Sequence, residues 1–534
     1  MIYLCPYTAS THIINIMINR YTLLPLAIVP VTYISATEAA DTTDTTIQPP
    51  NIVLFLVDDM GWQDTSVPFW SERTPLNERY NTPNMERLAS MGVRFTQAYA
   101  SSVSSPTRCS LMTGANAARH CVTNWTFKYN TKTDHPDNDI EIPDWNVNGI
   151  QPVSGIEKSF HATSFVQILK NNGYHTIHCG KAHFGATQTP AENPEALGFD
   201  VNIAGFAGGG PASFLGTERF GHDANGKAYS RFSIPGLEEY WDKDIYLTEA
   251  LTQEAIKAMQ TAKSLNTPFF LYMSHYAVHV PITADKRFIE KYRQMGLSET
   301  EAAYASMVEG MDKSLGDIMN FLNEQDELNN TIIIFMSDNG GLSAVGRTPP
   351  LHVHNAPLRS GKGSAYEGGI REPMIIYWNG VTTPGSIEDN YVIIEDFFPT
   401  ILEMAGVKEY EAVQTIDGKS IVPILKGKET DSANRPLVWN MPNNWIPGDN
   451  SSHGIGSTAA IRLGDYKLIY WYKTGIKELY NLSKDIGERN NLAKEKPEIV
   501  EKLSKELGCY LRSVGAQRPT FKNSKQPCPW PDEI

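Results

Sequence analysis

Two short acidic clusters in the sequence each follow an apolar run directly. Asp58-Asp59-Met60-Gly61 comes after Ile52 to Val57, and Asp338-Asn339-Gly340-Gly341 comes after Thr331 to Ser337. Both runs read as strands buried on two faces, and open α/β sheets gather ligands beyond the carboxyl ends of such strands. If the two strands lie near each other, Asp58, Asp59, Asp338 and Asn339 converge. Three carboxylates and an amide oxygen can share one point only around a cation, and this all-oxygen set suits a hard divalent ion, Ca²⁺ or Mg²⁺. Taken singly, either cluster reads more readily as a strand-to-turn junction, because Asp, Asn and Gly favour turns anyway.

Basic groups occupy corresponding places. The run Tyr174 to Cys179 ends in Gly180-Lys181-Ala182-His183, and Phe269 to Met273 leads to His279-Val280-Pro281. Lys181 and His183, two apart between glycines, suggest two side chains leaving one tight loop for a common site; each histidine could equally be a satisfied structural one. The glycine-rich segment from Pro357 to Pro373 carries Arg359, Lys362 and Arg371, which fits an oxyanion-binding loop or, alternatively, a solvated basic surface. Ser104 opens Ser104-Ser105-Pro106-Thr107-Arg108, just before an expected helix whose N-terminus favours anions. Ser104 has no base beside it in sequence.

The elements that must position these groups alternate between strand and helix. Further strand runs lie at Phe269 to Met273 and Pro373 to Trp378, and helical patterns at Asn84 to Met91 (capped by the Asn), Thr163 to Asn171 and Thr248 to Ala262. This predicts an α/β fold with a large, mainly parallel sheet flanked by helices. After about residue 430 the texture changes to Pro436 to Asn440, Ala459 to Leu463 and Tyr466 to Tyr472, with a Gly464-Asp465 turn, and then an amphipathic helix from Pro497. That predicts a smaller C-terminal α+β domain with an antiparallel sheet and one helix. The expected organisation is a signal peptide over 1–40, a linker over 41–50, a catalytic domain over 51–430 and the C-terminal subdomain over 431–534.

Arg20 followed by the apolar stretch from Tyr21 to Ile34 has the layout of a secretory signal, and Met17 would make a more typical start than the sixteen residues before it. Pro25 and Pro30 break that stretch, and no other is long and apolar enough to span a membrane, so no membrane span is expected in the mature protein. A formal net charge of −14 in 534 residues leaves no basic face for nucleic acid. Six scattered cysteines form no metal motif; Cys509 and Cys528 are close enough in sequence to pair in an oxidising compartment.

With these motifs in view, the chain resembles the type I, formylglycine-dependent sulfatases of the alkaline phosphatase superfamily, from about Asn51 to the final helix. The family signature (Cys or Ser, any residue, Pro, Ser, Arg, four residues, Thr-Gly) reads here as Ser104-Ser105-Pro106-Thr107-Arg108 and then Thr113-Gly114. The Asp-Asp pair, Gly-Lys-x-His, His-x-Pro, Asp-Asn-Gly-Gly and the Gly-Lys-Gly loop follow in the family's order.

The resemblance implies that Ser104 is oxidised by a formylglycine-generating maturation enzyme to 3-oxoalanine. The hydrated aldehyde then attacks sulfur, and its second oxygen later expels sulfate. It implies that Asp58, Asp59, Asp338, Asn339 and modified Ser104 hold Ca²⁺ and that Arg108 and Lys181 stabilise the formylglycine. His183 would serve the proton transfer that releases sulfate. His279 and Lys362 would bind the sulfate oxygens, with His279 also the acid for the departing alcohol. Thr107 replaces the usual Ser, which bears on maturation, and Ala182 replaces the commoner Trp, which implies a roomier pocket. A serine at 104 resembles the bacterial enzymes matured by an anaerobic radical enzyme, implying a periplasmic or secreted bacterial protein acting on sulfated carbohydrate. Specificity falls to the loops Trp125 to Gly155, Gly205 to Arg231 and Asn440 to Thr458, with Trp145, Trp445 and His453 as candidate sugar contacts. The competing readings are a phosphomonoester or phosphodiester hydrolase using unmodified Ser104, and a silent glycan-binding protein on the same scaffold.

Overall fold

The computed structural model describes residues 49–342, 354–428 and 434–534. The expected signal, most of the linker and the boundary near residue 430 fall outside them. Residues Pro49–Ile534 form one compact unit.

Its centre is a nine-stranded sheet of β1 (Asn51–Val57), β2 (Val93–Tyr99), β3 (His175–Gly180), β4 (Val201–Ile203), β5 (Phe269–Ser274), β6 (Thr331–Ser337), β7 (Arg371–Tyr377), β8 (Ser386–Glu388) and β9 (Val392–Ile393). The order is β8-β2-β7-β6-β1-β5-β3-β4, with β9 also pairing with β2. β1 runs parallel to both its neighbours, β5 and β6. The sheet is mixed, because β7 is antiparallel to β2 and β6. A continuous apolar run such as Met374 to Tyr377 shows that a strand is buried on both faces, not which way it points.

Side-chain alternation along β1 builds two cores. Ile52, Leu54 and Leu56 pack on one face with Leu111 and Met112 of α1 (Ser104–Thr113). Val53, Phe55 and Val57 pack on the other with α2 (Leu247–Ser264) and α3 (Glu299–Glu324). Each fully buried side chain of this size contributes about 1.5–3 kcal/mol. The central strands are therefore held firmly at both faces.

The C-terminal sheet orders β10 (Leu437–Met441), β11 (Thr458–Leu463), β12 (Tyr466–Trp471) and β13 (Lys477–Asn481), antiparallel throughout. Leu503, Leu507 and Leu511 of α4 (Pro497–Ser513) are buried against it in a third core, as the amphipathic pattern predicts. Three expectations change. The helix at Pro83–Met91 is preceded by Thr82 as N-cap, with Asn84 inside its first turn. Cys528 is a free, buried thiol, so it makes no disulfide with Cys509. Ala182, expected to widen the pocket, is fully buried in the first core. Among the described residues no helix is long and apolar enough to cross a membrane.

Candidate active site

Strand register brings the motifs together. Val57 lies opposite Ser337, Leu56 opposite Ser274, and Ser274 opposite Gly180. The residues that follow β1, β6, β5 and β3 therefore emerge side by side at one edge: Asp58 and Asp59, Asp338 and Asn339, His279, and Lys181 with His183. Gly180 has φ 103°, and a Cβ there would lie 1.9 Å from the Ser274 carbonyl oxygen, so only glycine lets this loop turn so close to β5. Asp59 itself adopts φ 62°, which aims the two adjacent carboxylates at the same point.

Ser104, the first residue of α1, reaches this edge with only 3% of its surface exposed. Its Oγ lies 3.1 Å from Asp58 Oδ1 and 3.1 Å from Asn339 Oδ1, and it accepts from Lys181 Nζ at 3.0 Å. Lys181 also pairs with Asp58 Oδ2 at 2.7 Å, and Lys362 with Asp59 Oδ1 at 2.6 Å. Arg108 is fully buried and donates to Asp338 Oδ2 from Nε at 3.0 Å and Nη2 at 2.8 Å. Its Nη1 donates to the Lys181 carbonyl, to Tyr272 and to Ser274. Arg108 thus ties β5 to the loops after β3 and β6. Thr107 Oγ1 accepts from Ser101 N at 3.0 Å, fixing the turn that presents Ser104.

Oxygens of Asp58, Asp59 and Asp338 all lie within 4.8 Å of one another, fully buried. Asn339 donates from Nδ2 to Asp59 Oδ1 at 2.8 Å, which leaves its oxygen facing Ser104. Asp59 Oδ2 has no hydrogen-bond partner. A hard cation fits this donor set: converging anionic oxygens, one without a partner, with an amide oxygen and the Ser104 oxygen beside them.

The charges explain the rest of the electrostatics. Burial pushes the Asp58 carboxyl up to about 8 against the pull of Lys181, with Asp338 and Asp59 raising it further. Burial opposes ionisation of Asp59 as well, but Lys362 and His279 outweigh it and hold this carboxyl well below the usual range. Burial lowers the Lys181 ammonium despite Asp58, whereas at Lys362 the attraction of Asp59 and Asp58 overcomes burial and raises it. Burial, with Lys181 and Arg108, keeps His183 neutral; its Nε2 donates to the Thr126 carbonyl at 2.8 Å and leaves Nδ1 without a partner. His279 is pushed down to about 3, mainly by burial, although a fifth of its side chain (20%) still faces the pocket. Its Nδ1 donates to the Val280 carbonyl at 2.8 Å, so Nε2 faces Asp59 at 3.7 Å.

Ser104, Lys181, His183, His279 and Lys362 line the floor of a cavity of about 440 Å³. Its walls include Trp125, Pro211, Phe232, Pro281 and Trp445. Trp445 packs over Gly363, whose φ is 83° and where a Cβ would meet the indole at 2.0 Å. Each of the three loops expected to set specificity supplies wall residues. Of the named sugar-contact candidates, only Trp445 lines the pocket. Trp145 is fully buried with its indole nitrogen donating to Asp134, and the His453 carbonyl accepts from Ser364. Of the three cations in the glycine-rich loop, only Lys362 reaches the site. Arg359 bonds Tyr480 and the Glu488 carbonyl, and Arg371 bonds Glu367 and the Thr96 carbonyl. Sequence reasoning missed Phe232 and the Thr126 carbonyl, for which no local motif exists.

A family model described as Sulfatase matches residues 50–407. The chain belongs to the sulfatase family. A second model, N-sulphoglucosamine sulphohydrolase, C-terminal, matches residues 361–513. Among relatives, a sulfatase of Formosa agariphila is 30% identical over 91% of this chain and 92% of its own. The N-acetylgalactosamine-6-sulfatase of Mus musculus is 31% identical over 84% of this chain and 76% of its own. The structure of Ps i-CgsB in complex with k-i-k-neocarrahexaose superposes with a TM-score of 0.68 at 26% identity, covering 88% of this chain and 94% of that one. This sulfatase is accordingly a sulfuric ester hydrolase on an α/β fold with a separate C-terminal antiparallel sheet.

Proposed function

We propose that this sulfatase removes O-sulfate groups from carbohydrates, with Ser104 oxidised to formylglycine and Ca²⁺ (or Mg²⁺) held by Asp58, Asp59, Asp338, Asn339 and residue 104. The observation that carries this reading is the position of Ser104 Oγ, within 3.1 Å of Asp58 and Asn339 and 3.0 Å from Lys181 at the floor of the cavity. A bound divalent cation supplies Lewis acidity that favours the ionised nucleophile and polarises the sulfate.

The chain's own residues supply the remainder. The three carboxylates of Asp58, Asp59 and Asp338 face three fixed cations, Arg108, Lys181 and Lys362. A divalent ion therefore leaves the centre net positive, matched to a sulfate monoester and to charge developing on its oxygens. Lys181 orients the oxygen on residue 104, and Arg108 holds Asp338 and the Lys181 loop in place. Lys362 and His279 face the anionic group. His183, neutral with a free Nδ1, accepts the proton when sulfate is expelled. His279 serves as the acid for the departing oxygen by gaining a proton at Nε2 once the anionic substrate is seated. Ser104 is nearly inaccessible in the folded chain, so a maturation enzyme acts before α1 packs. Export to the periplasm or the exterior rests on the signal-like segment over residues 1–40, and it agrees with a polymeric carbohydrate substrate. The C-terminal subdomain over 431–534 is supported by the third core, in which its sheet packs on α4; Leu437, Ala460 and Ile469 of the same sheet join the first core.

The test is sulfate release from a panel of sulfated saccharides by matured protein, followed by ion chromatography. Release that requires a divalent cation and is lost in Ser104→Ala supports the reading. Release unaffected by both contradicts it.

A further inference from the structure

The pocket divides its chemistry sharply. Every charged lining group belongs to the reaction centre, while the walls are aromatic rings, prolines, glycines and valines. A sugar seated there is held by ring faces. A charge on the next sugar finds no partner inside the cavity.

One cation stands at the edge. The Arg231 guanidinium lies over the ring of Phe232 at 4.9 Å and over that of Phe127 at 5.2 Å, and Phe232 is itself pocket wall. Arg231 is exposed, and among the described residues its guanidinium makes no hydrogen bond or ion pair. Nearby Arg219, by contrast, is bidentate to Asp242 and also bonds the Asp223 carbonyl. Stacking on two rings keeps the Arg231 side chain in one place, so little ordering remains to be done when an anion arrives. Its donor fork is left open, in the geometry that takes a sulfate or carboxylate two-pronged. The chain carries a formal charge of −14, which repels a polyanion at range, so a fixed cation beside the pocket has a use there.

We infer that Arg231 binds a second anionic group, a sulfate or carboxylate, on the saccharide beyond the sugar being desulfated. The preferred substrate is thus a saccharide with at least two anionic groups. This rests on the pocket assignment made above.

The test is titration calorimetry on Ca²⁺-loaded Ser104→Ala protein, with and without Arg231→Ala. The ligands are a carrageenan tetrasaccharide bearing only sulfates, a chondroitin 6-sulfate disaccharide bearing a carboxylate beside one sulfate, and galactose 6-sulfate with a single anionic group. Loss of one exposed ion pair is expected to weaken the tighter oligosaccharide about fivefold and to leave galactose 6-sulfate within about twofold. Arg231→Lys should restore part of the loss. A loss confined to the carrageenan arm identifies sulfate as the second group, and one confined to the chondroitin arm identifies carboxylate. Equal weakening of all three ligands, no weakening, or binding of neither oligosaccharide overturns the inference. If the oligosaccharides bind through Arg231 but matured wild-type protein releases sulfate from none of them or from any wider panel, the proposed function fails and the anion site stands.

Discussion

Two of the clusters of buried charge among the described residues differ in whether they open onto the cavity. Beneath the C-terminal sheet, Glu367 accepts from Tyr99 at 2.7 Å, Lys467 at 3.0 Å and Arg371 at 3.2 Å, and Lys467 also lies 2.9 Å from Glu488. None of these groups lines the active-site cavity. At the reaction centre, equally buried carboxylates pair with Lys181 and Lys362, which line that cavity, and Asp59 Oδ2 and His183 Nδ1 have no hydrogen-bond partner. Buried charge alone therefore does not mark an active site. Buried charge with unmet coordination beside a cavity does.

Substitutions should separate the two clusters. Ser104→Ala is expected to lower sulfate release by at least about 10³-fold while leaving the melting temperature nearly unchanged. Lys467→Met should do the reverse, because it strands two buried carboxylates. A stability loss of about 3–5 kcal/mol in denaturant titrations is expected, with turnover per folded molecule nearly intact. If Lys467→Met abolished turnover in folded protein, the contrast would break. Calcium at about 100 times its dissociation constant should stabilise the wild type by about 2.7 kcal/mol and Asp338→Asn far less, as read by thermal unfolding.

Glu372 sharpens the contrast from another side. It is fully buried, neither carboxyl oxygen has a hydrogen-bond partner, and burial, with Asp338 and Asp59 nearby, pushes its carboxyl well above the usual range. Glu372→Leu is expected to stabilise the fold by about 1–3 kcal/mol; destabilisation would show that the carboxyl has a partner.

A further effect concerns pH. Burial raises Glu488 from its ordinary 4.5 to about 7, against the pull of Lys467. The folded state keeps this proton where the unfolded state has lost it, so stability falls as pH rises from about 4.5 to about 7. Unfolding curves of Glu488→Gln should lack that part of the slope.

Much of the reaction centre was legible in the sequence because each group sits within a few residues of a strand end. Asp58, Asp338, Lys181 and His279 are placed by β1, β6, β3 and β5, and strand register does the rest. The glycine-rich loop misled where types were read without placement: Arg359 and Arg371 belong to the structural cluster, and only Lys362 reaches the site. Trp145 misled in the same way, since an indole that satisfies its N–H internally is core. β2 was not anticipated because it is only partly buried, with polar residues at alternate positions. α3 was not anticipated because Glu309 and Asp312, buried among its apolar residues, obscure the pattern. The pocket walls named above come from four segments far apart in sequence, around Trp125, Pro211 to Phe232, Pro281 and Trp445, which no local motif can join.

The central claim is that Ser104 is the precursor of the nucleophile, and the mass of the peptide containing Ser104, from protein made in its natural host, tests it most directly. The account predicts a mass lower by two hydrogens, in proportion to activity and absent from Ser104→Ala. An unmodified serine in fully active protein would contradict it and favour direct attack by the serine hydroxyl.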